Sequence, residues 1–308
     1  MTRPTGPGPR GVLNTSRGDG ISGHARLLPA PELRPWVDCY WMVRWDLRGQ
    51  PPRLAETLPH PCVYWVTEFG RSAINGVGTG RFVRLLEGKG RVFGVRFRPG
   101  GFHPFFGSPV STITDGSLSL HAVFGEPGRV LEKSLTDLDV AAGRAETLPG
   151  AATRPADDLA DELMMDLTDR FLLERLPAPD PRFDAVTAIV HAIASTPGIT
   201  RVEAVAGRYG YTVRSLQRLF GQYVGVSPKW VIKRYRLHEA VERMDRGLPV
   251  RWSRLAAELG YFDQAHFIKD FRALIGRSPG EYARGQPAAQ PAKSRRPAKP
   301  APRHRRGS

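Results

Sequence analysis

Residues 255–282 read "LAAELGYFDQAHFIKDFRALIGRSPGEY" and repeat, with one extra residue in the turn, the pattern "VEAVAGRYGYTVRSLQRLFGQYVGVSP" of residues 202–228. Each copy contains Ala-x-x-x-Gly-Tyr, then apolar residues at helical spacing, then Gly-x-Ser-Pro. A small alanine lets two helices cross closely, and a glycine allows a left-handed turn between them. The repeat therefore predicts two helix–turn–helix units. Their structural residues are Ala206, Gly210, Ala256 and Gly260.

Cap residues divide both copies into helices at matching points. Thr212 and Asp263 can each cap the second helix of a unit. Each Gly-x-Ser-Pro ends that helix at its glycine and starts the next helix at its serine and proline. Between the copies, residues 228–247 read "PKWVIKRYRLHEAVERMDRG", which predicts one helix of about 18 residues, or about 27 Å. A strut of that length separates the two second helices by about one DNA turn, roughly 34 Å.

The exposed face of each second helix follows from a rotation of about 100° per residue. In residues 213–223 the apolar side leaves Arg214, Gln217 and Arg218 pointing outward. Arginine can bind guanine with two hydrogen bonds, and glutamine can bind adenine in the same way. The corresponding base-contact positions of the second copy are Gln264, Ala265, Ile268 and Lys269. A solvated polar face is the alternative interpretation of both helices.

Phosphate contacts are predicted near helix starts and beside the second exposed face. They are Lys229, Lys233, His266 and Arg277. His266 lies to the side of the face, so a packing role is the alternative for this residue.

The net charge of +15 is confined to the last part of the chain. Residues 1–181 hold 21 Lys/Arg and 21 Asp/Glu, residues 182–284 hold 17 against 9, and residues 285–308 hold 7 against none. This asymmetry indicates that the C-terminal part meets a polyanion. A basic surface that only solvates the protein is the alternative.

The composition limits the other function classes. Hydrophobic and charged contents of 41% and 24% are typical of a globular protein, and 308 residues predict two domains. The two cysteines, Cys39 and Cys62, exclude a disulfide scaffold and a four-cysteine zinc site, leave a single bridge between them as an alternative, and indicate a reducing compartment. The N-terminus has no apolar signal segment, and no run of about 18 apolar residues occurs. We therefore expect a cytoplasmic protein without a membrane partner.

The N-terminal half has the composition of strands. Residues 36–98 contain aromatic and β-branched stretches such as "WVDCYWMVRWD" and "RVFGVRFRP", separated by Gly and Pro. Arg96 and Arg98 alternate with apolar residues, which is typical of a half-buried antiparallel strand. The predicted fold class is therefore α+β. It has an N-terminal β-rich, barrel-like regulatory domain followed by an all-α domain with two helix–turn–helix units.

Pro-rich stretches and changes of composition mark five segments along the chain. They are a flexible leader at 1–25, a β-rich effector or regulatory domain at 26–150, an amphipathic helix and Pro-rich linker at 151–180, a double helix–turn–helix DNA-binding domain at 181–285, and a disordered basic tail at 286–308. The amphipathic helix has Leu159, Leu163, Leu167 and Phe171 on one face, which we expect to cover the sheet or to pair with a second copy. The linker "LPAPDP" ends at Pro181, and Asp180 can cap the helix that follows.

Residues 183–284 resemble the DNA-binding domain of AraC/XylS-type transcription regulators. The resemblance is carried by "GYFDQAHF" with the following Phe and Gly-x-Ser-Pro-x-x-Tyr, and by both helix–turn–helix units. It implies a seven-helix domain that binds double-stranded promoter DNA through the second helix of each unit. Through "GVRFRPGGFHPFFG", the N-terminal half is similar to the effector domains that accompany such modules. The further candidate partners are a small-molecule effector at that domain, RNA polymerase and a second copy in a homodimer.

Two other function classes stay open. His60, Cys62 and His103 could form a metal site or a Cys/His pair of an enzyme, or be structural residues near strand ends. No nucleophile elbow, phosphate loop or paired carboxylates support catalysis, so we predict a protein without enzymatic activity or cofactor. An architectural DNA binder without an effector is the second alternative, and it would not need the neutral N-terminal half.

Overall fold

The computed structural model describes residues 24–68, 70–145, 156–246 and 251–284, together with Thr5 and Leu13. Within these residues, eight strands lie before position 120 and seven helices lie between Pro181 and Arg284. The α+β class is therefore confirmed, with a β-rich N-terminal half and an all-α C-terminal part. The predicted tail and most of the predicted leader lie outside the described residues.

The described strands are antiparallel. In chain order they are His24–Leu27 (β1), Val37–Asp46 (β2), Arg53–Thr57 (β3), Tyr64–Glu68 (β4), Arg71–Asn75 (β5), Phe82–Leu86 (β6), Lys89–Phe97 (β7) and Ser117–Ser119 (β8). Six of them form one sheet in the order β1-β2-β7-β4-β5-β8, and β3 pairs with β6 as a separate ribbon. Tyr40 lies opposite Val95 in the β2–β7 pair. Both are buried with Trp65 in the core of this half.

Strand β7 differs from the predicted half-buried pattern. Its last six residues are all buried, including Arg96, which is 9% exposed. Nε of Arg96 donates to Oδ2 of Asp38 at 2.7 Å. Because a carboxylate pairs with the guanidinium, the arginine is accommodated inside the protein.

Four described helices connect this sheet to the C-terminal part. They are His103–Phe106 (α1), Leu120–Phe124 (α2), Glu126–Ala145 (α3) and Ala156–Leu173 (α4). The predicted β-rich segment is therefore helical between residues 120 and 145. In α3, Leu131 and Leu135 lie one helical turn apart and are buried, so their spacing is that of a helix packed on a core.

The predicted buried face of α4 is only partly confirmed, because Phe171 is buried and Leu167 packs against the core. Leu159 and Leu163 are 53% and 42% exposed, whereas Met164 and Met165 are completely buried. The leucine stripe therefore lies at the edge of the packed face, and the two methionines form its centre.

Buried aspartates set the rotation of α4. Oδ1 of Asp161 lies 2.6 Å from Nη2 of Arg91 on the sheet. Oδ1 of Asp169 accepts a hydrogen bond from the Tyr40 hydroxyl at 2.5 Å. Since buried carboxylates need partners of this kind, the helix turns its acids inward together with the methionines.

The C-terminal helices begin and end close to the predicted positions. They are Pro181–Ser195 (α5), Val202–Arg208 (α6), Val213–Tyr223 (α7), Pro228–Asp245 (α8), Trp252–Glu258 (α9), Gln264–Ile275 (α10) and Pro279–Arg284 (α11). Helices α6 and α7 form the first unit, and α9 and α10 form the second. Helix α8 contributes Val231 to the core of the first unit and Leu237 to the core of the second. It is therefore the predicted strut.

The predicted linker lies between α4 and α5. Oδ1 of Asp180 accepts from the N–H of Arg182 at 2.9 Å, so the predicted cap of α5 is confirmed. Trp36 of the N-terminal half stacks on Phe183 of α5, with ring centroids 6.2 Å apart. The two halves are thus in contact, and their division into domains at 176–181 stays a prediction.

Candidate nucleic-acid interface

The two helix–turn–helix units share the same turn geometry. Gly210 and Gly260 have φ angles of 71° and 77°, in the left-handed region that favours glycine. In both turns the N–H of the following tyrosine donates to the carbonyl of the small alanine at 2.9 Å: Tyr211 to Ala206, and Tyr261 to Ala256. The predicted structural residues therefore do what the repeat pattern requires of them.

The caps of α7 and α10 are also the predicted residues. Oγ1 of Thr212 accepts from the N–H of Ser215 at 3.1 Å, and Oδ1 of Asp263 accepts from the N–H of His266 at 2.7 Å. Each cap satisfies a backbone donor that has no partner within its helix. Both second helices therefore start at a defined residue.

Helix α7 has one buried side and one free polar side. Its buried residues are Leu216, Leu219, Phe220 and Tyr223. Arg214, Gln217 and Arg218 are exposed, as predicted. None of these three side chains has a hydrogen bond or an ion pair with another described residue. Their donors and acceptors are thus available to a ligand.

Helix α10 has a poorer polar face. Gln264, Ala265 and Lys269 are exposed, as predicted. Ile268 is only partly exposed, because it packs against the apolar core of the second unit. The second face thus contains one amide, one ammonium group and apolar surface.

The predicted phosphate contacts have different surroundings. Lys229 is exposed at the start of α8. Nζ of Lys233 lies 2.6 Å from Oδ2 of Asp270, so this ammonium group joins α8 to α10. The side chain of His266 is 46% exposed, and its ring lies edge-on to Tyr261 with centroids 5.3 Å apart.

Arg277 faces the N-terminal half. Its Nη2 lies 3.8 Å from Oε2 of Glu56, and its guanidinium lies 5.3 Å from the ring centroid of Tyr282. A phosphate contact by Arg277 or by Lys233 therefore competes with an ion pair inside the protein.

The N-terminal half contacts the turn that follows α7. Oγ1 of Thr114 donates to the carbonyl of Gly225 at 2.6 Å. His103 packs on Tyr223, the last residue of α7, with ring centroids 4.0 Å apart. The first Gly-x-Ser-Pro is therefore a contact point as well as a helix boundary.

The N-terminal half also contacts the turn that follows α10. Nη1 of Arg81 donates to the carbonyl of Ile275 at 3.3 Å and to Oε1 of Glu56 at 2.8 Å. Gly276 leaves room for this guanidinium, because a Cβ at that position would lie 2.3 Å from Nη1 of Arg81. The same duplicated motif is thus contacted at both of its copies.

The strut helix completes this contact between the two halves. His238 of α8 stacks on His60 with ring centroids 4.2 Å apart. Nη2 of Arg234 donates to the carbonyl of Thr79 at 2.6 Å, and the arginine is 1% exposed. Burial lowers the pKa of Arg234 to about 10.

A cleft of about 680 Å³ opens between the two halves on the side of α5. Arg34 and Arg98 border it from the N-terminal half, and His191, Arg208 and Tyr209 border it from the C-terminal part. Three guanidinium groups therefore face one cleft that touches both halves.

The three residues of the alternative metal or Cys/His site have separate neighbours. His60 stacks on His238, and His103 packs on Tyr223. Burial raises the pKa of the Cys62 thiol to about 12, which keeps it protonated at neutral pH. Among the residues that the structure describes, no group of three or more His, Cys, Asp or Glu side chains could hold a metal ion.

Local sequence patterns do not indicate the contacts to the two turns or the exposure of one residue. Thr114 and Gly225 are 111 positions apart, and Arg81 and Ile275 are 194 apart, so no local pattern joins them. Phe262 is 94% exposed directly before the cap of α10. The extra residue in the second turn was the one sequence feature that indicated this position.

Two family models match parts of the chain. Residues 205–285 match a family described as "Helix-turn-helix domain", and residues 25–119 match one described as "Domain of unknown function (DUF6597)". The HTH-type transcriptional activator RhaS of Escherichia fergusonii is 32% identical over 87 residues, which are 28% of this chain and 31% of RhaS. The match thus spans less than a third of that relative.

Paired helix–turn–helix units of this geometry define a class of DNA-binding domain. Within that class, the C-terminal domain is of the AraC/XylS type, as the resemblance of residues 183–284 implied.

Among solved structures, the chain is similar to ToxT of Vibrio cholerae. An apo ToxT structure is 14% identical and covers 79% of this chain and 96% of its own, with a TM-score of 0.39. An unsaturated fatty acid-bound ToxT structure is 13% identical and covers 74% and 86%, with a TM-score of 0.35. Because these identities and TM-scores are low, the similarity is remote and implies no ligand and no contact residue for this chain. Separately, no helix in the described part of the chain combines the length and apolarity needed to cross a bilayer.

Proposed function

We propose that the chain is a sequence-specific DNA-binding transcription regulator whose helices α7 and α10 enter adjacent major-groove segments of a promoter. The observation that carries this proposal is the polar face of α7, where Arg214, Gln217 and Arg218 are exposed without a partner among the described residues. The excess of 17 basic over 9 acidic residues in 182–284 supports attraction to DNA. The helix–turn–helix family match of residues 205–285 supports the same function.

The two units contribute unequally to hydrogen-bonded base recognition. Each bidentate contact of an arginine or glutamine discriminates against a wrong base by about 1–3 kcal/mol. The face of α7 offers three such groups, whereas α10 offers Gln264 and the single ammonium group of Lys269. The first unit therefore reads more of the operator by hydrogen bonds.

Selection of bound DNA from a random pool, followed by affinity measurements on every single-base variant of the selected operator, tests this proposal. We expect Arg218→Ala to reduce the preference at one or two base pairs by about 5- to 100-fold. We expect Lys269→Ala to weaken binding to all operator variants more evenly, because a lone ammonium group mainly contacts phosphate.

Arg246→Ala is the matched control. Arg246 is 64% exposed at the end of α8 and pairs with Glu242 at 2.7 Å, so its removal takes the same charge from the same domain. The control should keep the base preferences of the parent. Recovery of no common sequence from the pool would refute the proposed function. If Lys269→Ala weakened the base preferences more than Arg218→Ala does, the first unit would not be the main contributor to base recognition.

The proposal includes modulation by the N-terminal half. This half contacts the turns after both recognition helices through Thr114 and Arg81. A shift of the N-terminal half therefore changes the relative orientation of α7 and α10. Such a link gives an effector a physical route to the DNA-binding faces.

An effector that binds in the cleft beside α5 would touch both halves. The guanidinium groups of Arg34, Arg98 and Arg208 suit an anionic group on that effector. RNA polymerase, a second copy of the chain and a cytoplasmic location stay predictions. The proposed function includes no catalytic step.

A further inference from the structure

Phe262 is the most exposed large apolar side chain in the described part of the chain, at 94%. Four other aromatic residues of this region are buried, Tyr261, Phe267, Phe271 and Tyr282, and Trp252 packs partly buried against the same core. An aromatic side chain stabilises a fold by leaving water, and Phe262 does not leave water. Folding of the chain therefore gives no reason for a phenylalanine at this position.

The position of Phe262 is defined by the comparison of the two units. In the first turn Tyr211 is followed directly by the cap Thr212, whereas in the second turn Phe262 separates Tyr261 from the cap Asp263. The extra residue of the second copy thus lies at the start of the recognition helix. In helix–turn–helix proteins the N-terminal end of this helix contacts base edges in the major groove.

Beyond Asp263 and Gln264, apolar side chains follow Phe262 at helical spacing. Ala265 is exposed one turn further along, and Ile268 is partly exposed beyond it. The C5-methyl group of thymine is the apolar group that the major groove presents, and phenylalanine and alanine side chains suit it. Beside the amide of Gln264, the start of α10 therefore presents an apolar surface that suits a thymine methyl group.

We propose that Phe262 is a specificity-determining residue that contacts a thymine methyl group in the half-site of the second unit. The inference rests on the proposed function, because it requires α10 to enter the major groove. The first unit would then recognise bases by hydrogen bonds, and the second would recognise one or two thymines by apolar contact.

Operators in which single thymines are replaced by deoxyuridine test this inference, because the replacement removes only the methyl group. With the full chain, one or two replacements in the second half-site should lower the affinity by about fourfold, the effect of one buried methyl-sized group. With Phe262→Ser, the affinity for the thymine operator should fall, and these replacements should have no further effect. With Phe262→Leu, which keeps an apolar side chain, sensitivity to the replacements should remain.

Leu54→Ser is the matched control, because Leu54 is 55% exposed on the β3–β6 ribbon. This variant should keep the full sensitivity to deoxyuridine, and circular dichroism should show all three variants folded. An equal loss of affinity of Phe262→Ser on thymine and deoxyuridine operators would overturn the inference. So would unchanged DNA binding by Phe262→Ser, which would assign the side chain to a protein partner. If no operator sequence is selected, the proposed function itself is refuted. A selected operator that shows no dependence on Phe262 refutes only the present inference.

Discussion

At the scale of single residues, buried charge is concentrated where α4 meets the sheet. Asp161 and Asp169 are 4% and 6% exposed. Asp169 accepts from the Tyr40 hydroxyl at 2.5 Å and from the N–H of Ala30 at 3.2 Å, so it connects α4 to two separate parts of the N-terminal half. A buried donor that loses its acceptor keeps the cost of its desolvation.

We therefore expect Asp169→Ala to lower the free energy of unfolding by about 2–4 kcal/mol, because the Tyr40 hydroxyl and the Ala30 N–H lose this acceptor. Urea titration of the full chain followed by circular dichroism measures this change. Asp137→Ala is the control, since Asp137 is 65% exposed on α3 and pairs only at the surface with Lys133. Equal stability of the two variants would show that Asp169 is not a structural anchor.

At the scale of elements, the two helix–turn–helix units differ in the space around their turn glycines. An added Cβ at Gly210 meets no atom within 4 Å, whereas one at Gly260 would lie 2.3 Å from Cβ of Thr200. Both glycines have positive φ angles. The backbone strain of an alanine is therefore common to both turns, and the clash occurs only in the second.

We expect Gly210→Ala to destabilise its unit by about 1 kcal/mol, the cost of a left-handed alanine. Gly260→Ala should cost clearly more, about 2–4 kcal/mol, because Thr200 must also move. Hydrogen exchange of amides in α7 and α10 measures the two local stabilities in otherwise identical chains. A smaller effect of Gly260→Ala than of Gly210→Ala would contradict the packing around the second turn.

At the scale of the whole molecule, the N-terminal half holds the C-terminal domain at two corresponding points. The carbonyl of Gly225 accepts from Thr114, and the carbonyl of Ile275 accepts from Arg81. Each contact lies at the C-terminal end of α7 or α10, so the exposed N-terminal ends of these helices stay free. This arrangement restricts the orientation of one unit relative to the other.

The double variant Thr114→Val, Arg81→Ala should therefore tolerate changes in half-site spacing that the parent does not. One inserted base pair rotates a half-site by about 34°, which should lower the affinity of the parent by on the order of tenfold. The affinity of the double variant should fall clearly less on the same insertion. Affinity for operators with zero, one or two inserted base pairs measures this difference.

Thr112→Val, Arg71→Ala is the control double variant. The hydroxyl of Thr112 donates only within the N-terminal half, to the carbonyl of Pro109, and Arg71 is exposed on β5. This control should keep the spacing dependence of the parent. Identical spacing dependence in both double variants would show that the Thr114 and Arg81 contacts do not fix the orientation.

Local sequence patterns predicted the helical C-terminal part, its caps and the polar face of α7. These features depend on residues within a few positions of each other, such as Thr212 with its helix or Gly210 with its turn, so the 3.6-residue period and cap chemistry identify them. The same local rules identified the strands of the N-terminal half, although Arg96 is buried against Asp38 instead of exposed.

Long-range contacts in the folded chain decide which face of α4 is buried, where the strands give way to helices, and what the two Gly-x-Ser-Pro turns contact. The rotation of α4 depends on partners of Asp161 and Asp169 that lie 70 and 129 positions away, so its leucine spacing alone was misleading. The turn contacts join residues 111 and 194 positions apart. Such pairs form because folding brings distant surfaces together, and a periodic pattern in one segment contains no information on the surface that it will meet.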